Sequence, residues 1–140
     1  MKNSPLIFYV DDDQDDRELF EEAASVLWAR VRTFECAAEM LYVIQKSEQN
    51  LPSLVFVDLN MPMISGYDVI TILRAAGYTF PIIVLTTSKN GKDISKCREM
   101  GADYFIVKPS NMHSLKEAIE HTLGVDWDRH KPALDKFARF

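Results

Sequence analysis

Short apolar runs alternate along the chain with longer segments in which apolar residues recur every three or four positions. The runs are LIFYV (6–10), VRTFEC (31–36), SLVFVD (53–58), PIIVLT (81–86) and DYFIVK (103–108). Each is short and rich in β-branched or aromatic residues, which predicts a strand. Leu19, Ala23 and Leu27 share one face of the first intervening segment, and Phe20, Ala24 and Trp28 widen it. Met40, Leu41, Val43 and Ile44 make the second face, and Val69, Ile70 and Leu73 the third. Ile94, Cys97 and Met100 make the fourth, and Leu115, Ala118, Ile119 and Leu123 the fifth. This spacing predicts helices with one buried side, and burial is all the explanation these residues need.

Punctuation supports the division. Pro52 and Pro81 stand where strands begin, and Gly77 and Gly101 follow helices where a left-handed residue is wanted. Ser110 or Asn111 is placed to cap the last helix. Strands alternating with helices imply βαβ units, right-handed crossovers and a parallel sheet covered on both faces, an α/β fold. No internal repeat, low-complexity tract or linker interrupts the pattern. The segment GVDWDRHKPALDKFARF (124–140) follows the last helix, and its Leu134, Phe137 and Ala138 could form a short apolar face. The simplest expectation is a tail packed on its own domain.

Composition narrows this picture. The 140 residues fit one domain, and 47% hydrophobic residues suffice for a core. A net charge of −5 argues against nucleic acid or an anionic membrane as the default partner. No apolar run approaches the roughly 18 residues of a membrane span, and the N-terminus lacks the pattern of a signal peptide. Cys36 and Cys97 form no CxxC pair, so reduced thiols, at least partly buried, in a cytosolic protein are expected.

The chemistry lies where the strands end. In an open parallel sheet, ligands sit beyond the carboxyl ends of the strands. Asp11, Asp12 and Asp13 follow the first strand, Asp58 closes the third, Thr86 the fourth and Lys108 the fifth. Adjacent strands lie about 4.8 Å apart, so these residues can line one crevice. Clustered carboxylates need a cation or raised pKa values. An oxygen-rich site of this kind suits Mg²⁺ beside a phosphate, and Asp58 is then a candidate nucleophile.

Some of these residues also admit plainer or rival readings. Asp13, Asp15 and Asp16 suit the start of a helix, as a cap and as charges at its positive end. Lys108 alone could be a surface lysine and Thr86 alone a strand residue; their convergence with Asp58 favours a site. Asp11, Asp13, Asp15 and Glu22 match calcium-loop positions, but Asp16 stands where glycine is required and a strand precedes the loop. Asp11 and Asp13 also form the DxD of a haloacid-dehalogenase-type phosphatase, without the residue usual two places on.

VDDD after the first strand, VDLNMPMISGYDV around Asp58, VLTTS at the fourth strand and IVKP at the fifth together resemble the receiver domain of two-component response regulators. The resemblance covers residues 5–123 and leaves 124–140 as a tail of unknown role. It implies a doubly wound, flavodoxin-like (βα)5 fold with five strands in the order 2-1-3-4-5. It also implies a phosphoryl group passing to Asp58 from a phosphohistidine on a sensor histidine kinase or a histidine phosphotransfer protein. Asp12 resembles the direct Mg²⁺ ligand, Asp11 its neighbour acting through water, and the backbone carbonyl of Asn60 a further ligand beside Asp58. Thr86, with Thr87 beside it, and Lys108 match the groups that meet the phosphate. Phe105 sits where the family keeps a switch aromatic that turns from exposed to buried. The Lys108–Pro109 bond resembles one that is usually cis. Ser65 stands where Asp is frequent and Ser110 where an aromatic is common, while Asn60 and Ser88 occupy positions that tune self-hydrolysis.

These readings predict a single-domain switch acting through self-catalysed phosphoryl acceptance and slow self-dephosphorylation. Its output would be binding of a downstream protein by the fourth helix, fifth strand and fifth helix, or relay of the phosphoryl group. No output domain fits into the stretch from Gly124 onward, no direct binding of nucleic acid is expected, and the tail is a candidate surface for a homodimer. The alternatives are a degenerate receiver that binds without phosphate, and the phosphatase.

Overall fold

The computed structural model of the protein describes residues 4–128 and 137–139. Five βα units follow one another: β1 (Leu6–Val10), α1 (Gln14–Ser25), β2 (Arg30–Phe34), α2 (Ala37–Lys46), β3 (Leu54–Val57), α3 (Gly66–Ala75), β4 (Ile82–Thr86), α4 (Gly91–Met100), β5 (Tyr104–Val107) and α5 (Met112–Leu123). A short strand, β6 (Ala138–Arg139), ends the described chain.

The strands pair in parallel in the order β2-β1-β3-β4-β5-β6. The expected five-strand order is therefore present, with one strand added beside β5. β6 went unforeseen because two residues carry no period. Phe137, just before it, is buried, whereas Leu134 of the expected apolar face lies outside the described residues.

Alternation along the strands builds two cores. Phe8, Val10, Val55, Val57 and Val84 face α2, α3 and α4, meeting Met40, Ile44, Ile70, Leu73 and Cys97. Ile7, Tyr9, Phe56, Ile83 and Leu85 point the other way, onto Phe20, Ala23, Leu115 and Ile119 of α1 and α5. Period-2 side-chain placement is the cause. With both faces covered, the central strands can be apolar almost throughout: β3 is apolar at every position and β4 at all but Thr86.

Helix ends follow the local chemistry. Asp13 accepts from the Asp16 N–H at the start of α1, and Asn111, rather than Ser110, accepts from the Ser114 N–H at the start of α5. Ser65 and Asp68 form a reciprocal capping box on α3, which gives Ser65 a role of its own. Gly77 and Gly101 both take positive φ after their helices. The α1 face ends sooner than predicted: Leu27 and Trp28 lie beyond the helix and Trp28 is exposed. Cys97 is buried as expected, but Cys36 is exposed, because it stands at the N-cap of α2 rather than on the buried face of that helix. Among the described residues, no helix is long and apolar enough to cross a membrane.

Candidate phosphoacceptor site

The chain leaves β1 toward β2 on one side and returns to β3 on the other, which opens a crevice at the carboxyl ends of β1 and β3. The three charged residues there are anchored by one more hydrogen bond beyond each strand. The Asp11 N–H donates to the Phe34 carbonyl (3.1 Å), the Asp58 N–H to Val10 (3.2 Å) and the Lys108 N–H to Thr86 (2.7 Å). Gly66 lets α3 come against the same loop. A Cβ there would stand 2.4 Å from the Asp58 carbonyl oxygen.

Lys108 Nζ is the hub of the crevice. It lies 2.7 Å from Asp11 Oδ2, 2.7 Å from Asp16 Oδ2 and 3.6 Å from Asp58 Oδ2. Burial works against its charge, but the bonds to Asp11 and Asp16 and the field of Asp58 prevail and hold its pKa above the ordinary value. The Lys108–Pro109 bond is trans, as are all peptide bonds of the described residues. The expectation of a cis bond is thus corrected. Trans is the favoured isomer by about 0.5–1 kcal/mol, and the ion pairs hold the lysine in the crevice.

Asp11 is fully buried and accepts from three donors. Its Oδ1 accepts from the Asp13 N–H (3.0 Å), and its Oδ2 accepts from the Tyr9 hydroxyl (2.5 Å) as well as Lys108. Asp12 is exposed and has no side-chain hydrogen bond or ion pair among the described residues. Carboxylate oxygens of Asp11, Asp12 and Asp58 come within 4.8 Å of one another. Three oxygen donors at that spacing fit a hard divalent cation such as Mg²⁺.

Asp58 is buried, and burial lifts its pKa from 3.8 to about 6. Lys108 opposes the rise, Asp11 adds to it, and the Thr86 hydroxyl and the Asn60 N–H favour the charged form. Thr86 Oγ1 itself is fully buried and makes no hydrogen bond of good geometry. Thr87, next along the chain, is exposed. Phe105 is wholly buried, not exposed as expected of a switch aromatic before activation. The C-terminal strand accounts for this, since Phe137 joins the same apolar cluster and β6 lies along β5.

Two site residues were not visible in the sequence pattern. Asp16 reads as helix charge, yet its carboxylate turns back to Lys108. Tyr9 reads as a core residue, and its ring does stack on Phe20. The signal for Tyr9 was its spacing: residues i and i+2 of an extended chain share a face, so its hydroxyl reaches Asp11.

Residues 7–120 match the family described as the response regulator receiver domain. The chain belongs to that family. As a receiver it is part of the two-component signalling repertoire. It is 34% identical over 120 residues to the transcriptional regulatory protein PrrA of Mycobacterium tuberculosis, covering 86% of this chain and 50% of that protein. It is 28% identical over 114 residues to the sensor histidine kinase RcsC of Escherichia coli, covering 81% of this chain and 12% of that protein. The receiver thus spans half or less of these relatives. Its fold is similar to the phosphorylated cyanobacterial phytochrome response regulator RcpA (TM-score 0.75, 24% identity, 85% of this chain and 91% of that one). It is also similar to the chemotaxis response regulator CheY4 of Vibrio cholerae (TM-score 0.74, 23% identity, 84% and 98%).

The raised Asp58 pKa predicts a pH effect on the stability of this receiver. Between 3.8 and about 6 the folded protein holds a proton that the unfolded chain has released. Stability therefore falls as pH rises through that window and stays lowered above it. In metal-free buffer, Asp58→Asn is expected to raise the melting temperature above pH 7 by a few degrees, equivalent to about 1 kcal/mol after allowing for solvent screening. The gain should vanish near pH 4. Calorimetry at both pH values checks it, and a gain equal at both would remove the carboxylate as its cause.

Proposed function

We propose that the protein is a phosphorylatable switch that accepts a phosphoryl group on Asp58. The observation carrying this reading is a buried carboxylate facing both a lysine cation and a buried hydroxyl that makes no hydrogen bond of good geometry. Asp58 Oδ2 stands 3.6 Å from Lys108 Nζ, and Thr86 Oγ1, though it favours the Asp58 carboxylate, is not well bonded to it. Leaving a buried hydroxyl unsatisfied is costly, and a phosphate on Asp58 would supply its acceptor.

In the proposed step an Asp58 carboxylate oxygen attacks the phosphorus of a phosphohistidine on a sensor histidine kinase or phosphotransfer protein. A P–O bond forms, the P–N bond breaks, and the imidazole leaves with the electron pair and takes up a proton. Asp11, Asp12, Asp58 and the Asn60 carbonyl would hold a divalent cation. Such an ion, when bound, neutralises phosphoryl oxygens and orients the donor. Lys108 exchanges its carboxylate partners for a phosphate oxygen, and the Thr86 hydroxyl donates to another. Movement of Thr86 then passes to Phe105 through β4 and β5, where Val84 pairs with Phe105 and Thr86 with Val107. The output is binding of a downstream protein, or onward relay of the phosphoryl group, in the cytoplasm.

Incubation with acetyl phosphate and Mg²⁺ tests this reading by intact mass and by the amide resonance of Phe105. One phosphoryl group, released by hydroxylamine as an acyl phosphate must be, is expected together with a shifted Phe105 signal. Thr86→Ala should take the group while leaving that signal in place. No label would end the proposal in favour of a receiver that binds without phosphate. Multiple turnover on a small phosphate ester would point to a phosphatase, and an unchanged response in Thr86→Ala would break the Thr86–Phe105 link.

A further inference from the structure

β5 would form the edge of the sheet if the chain ended with α5. Its unpaired N–H and C=O groups would then invite another strand. Instead, the Phe105 N–H donates to the Phe137 carbonyl (3.0 Å), Phe105 pairs with Ala138 and Ile106 with Arg139. Phe137 is 1% exposed and lies in the apolar cluster that contains Phe105, Ile94 and Cys97. Arg139 reaches toward α5, to within 3.8 Å of Glu117. The segment is held as an added peptide is held in strand augmentation, with a main-chain ladder for affinity and a side-chain seat for specificity.

We infer that the β5 edge is a strand-accepting docking seat, closed in cis by the C-terminal strand, and that its partner supplies an extended segment bearing an aromatic, a small and a basic residue in succession. The chemistry comes from the occupant already there: Phe137 fills the seat, Ala138 lies flat on the ladder, and Arg139 answers Glu117. The cis strand competes by tethering. A segment on the same chain has a high effective concentration, so a free partner binds only as the tether loosens. The grip is short, with two registered pairs for β6 against five between β1 and β2. The inference names the partner class for the binding output proposed above and rests on that reading for its use. The seat itself needs no phosphate, so the two can fail separately.

The test uses the full chain and a labelled peptide, DKFARF, copied from residues 135–140. By fluorescence anisotropy without phosphoryl donor, the peptide is expected to bind Phe137→Ala at least tenfold more tightly than wild type. A peptide with alanine in place of its first phenylalanine should bind neither chain. Circular dichroism checks that Phe137→Ala is folded. Should it unfold, Arg139→Glu, which sets two like charges together while leaving Phe137 in place, should show the same gain. Equal affinity for wild type and variant, or binding to neither, would overturn the inference. A wild-type dimer in sedimentation that Phe137→Ala dissolves would overturn it too, because the strand would then be exchanged between copies.

Discussion

Asp58→Asn is expected to abolish phosphoryl acceptance, cutting the labelling rate by more than about a hundredfold, as removal of a nucleophile does. The asparagine keeps the shape of the site and its place beside Val10, but an amide oxygen does not attack phosphorus. Lys108→Ala provides the contrast. It retains the nucleophile and removes the cation, leaving Asp11 and Asp16 without a partner that both touch at 2.7 Å. Its labelling should persist at a reduced rate. The pH profile separates the two causes further. Burial raises the Asp58 pKa to about 6, so without metal the attacking carboxylate is lost as pH falls through 6. A bound divalent cation should move that midpoint downward, since a positive charge favours the carboxylate. Intact mass of each variant after exposure to acetyl phosphate measures the effect. Full labelling of Asp58→Asn would place the acceptor elsewhere.

Much of this was legible because the same residues serve two levels of organisation. β3, and β4 as far as Leu85, are apolar at every position because helices cover both faces of the sheet, and that density makes the strands stand out. Strand ends then located the crevice, since Asp11, Asp58 and Lys108 each follow a strand by one residue. What the sequence does not display depends on contacts between distant parts of the chain. β6 has two residues and owes its place to a Phe137 seat built by distant elements. That strand also covers Phe105, whose exposure only the family resemblance implies. Asp16 looked like helix charge because its distinguishing partner, Lys108, lies 92 residues away. Trp28 fits the helical period of α1, yet the helix stops at Ser25, and a period does not specify where a helix ends.

The acidic cluster offers the second large effect. Asp12→Ala is expected to abolish Mg²⁺-dependent labelling and to weaken divalent-ion binding by at least about tenfold, the scale of losing one carboxylate from a small oxygen site. Asp15→Ala should leave both nearly intact. The two aspartates are exposed and only three residues apart, so net charge alone would make their effects equal. Position separates them. Asp12 belongs to the three-carboxylate group within 4.8 Å, whereas Asp15 sits in the first turn of α1 and acts on the helix dipole. Asp16 falls between. It is not one of the three carboxylates of the candidate ion site, but it holds Lys108 2.7 Å away while Asp58 is 3.6 Å from the same nitrogen. Asp16→Asn should therefore leave ion affinity within about twofold and alter the labelling rate, because a lysine released from one carboxylate is freer to meet the phosphate. Ion titration followed by labelling of the three variants distinguishes these roles. Equal losses from Asp12→Ala and Asp15→Ala would reduce the cluster to bulk charge, and a lost ion site in Asp16→Asn would make Asp16 a ligand rather than the anchor of Lys108.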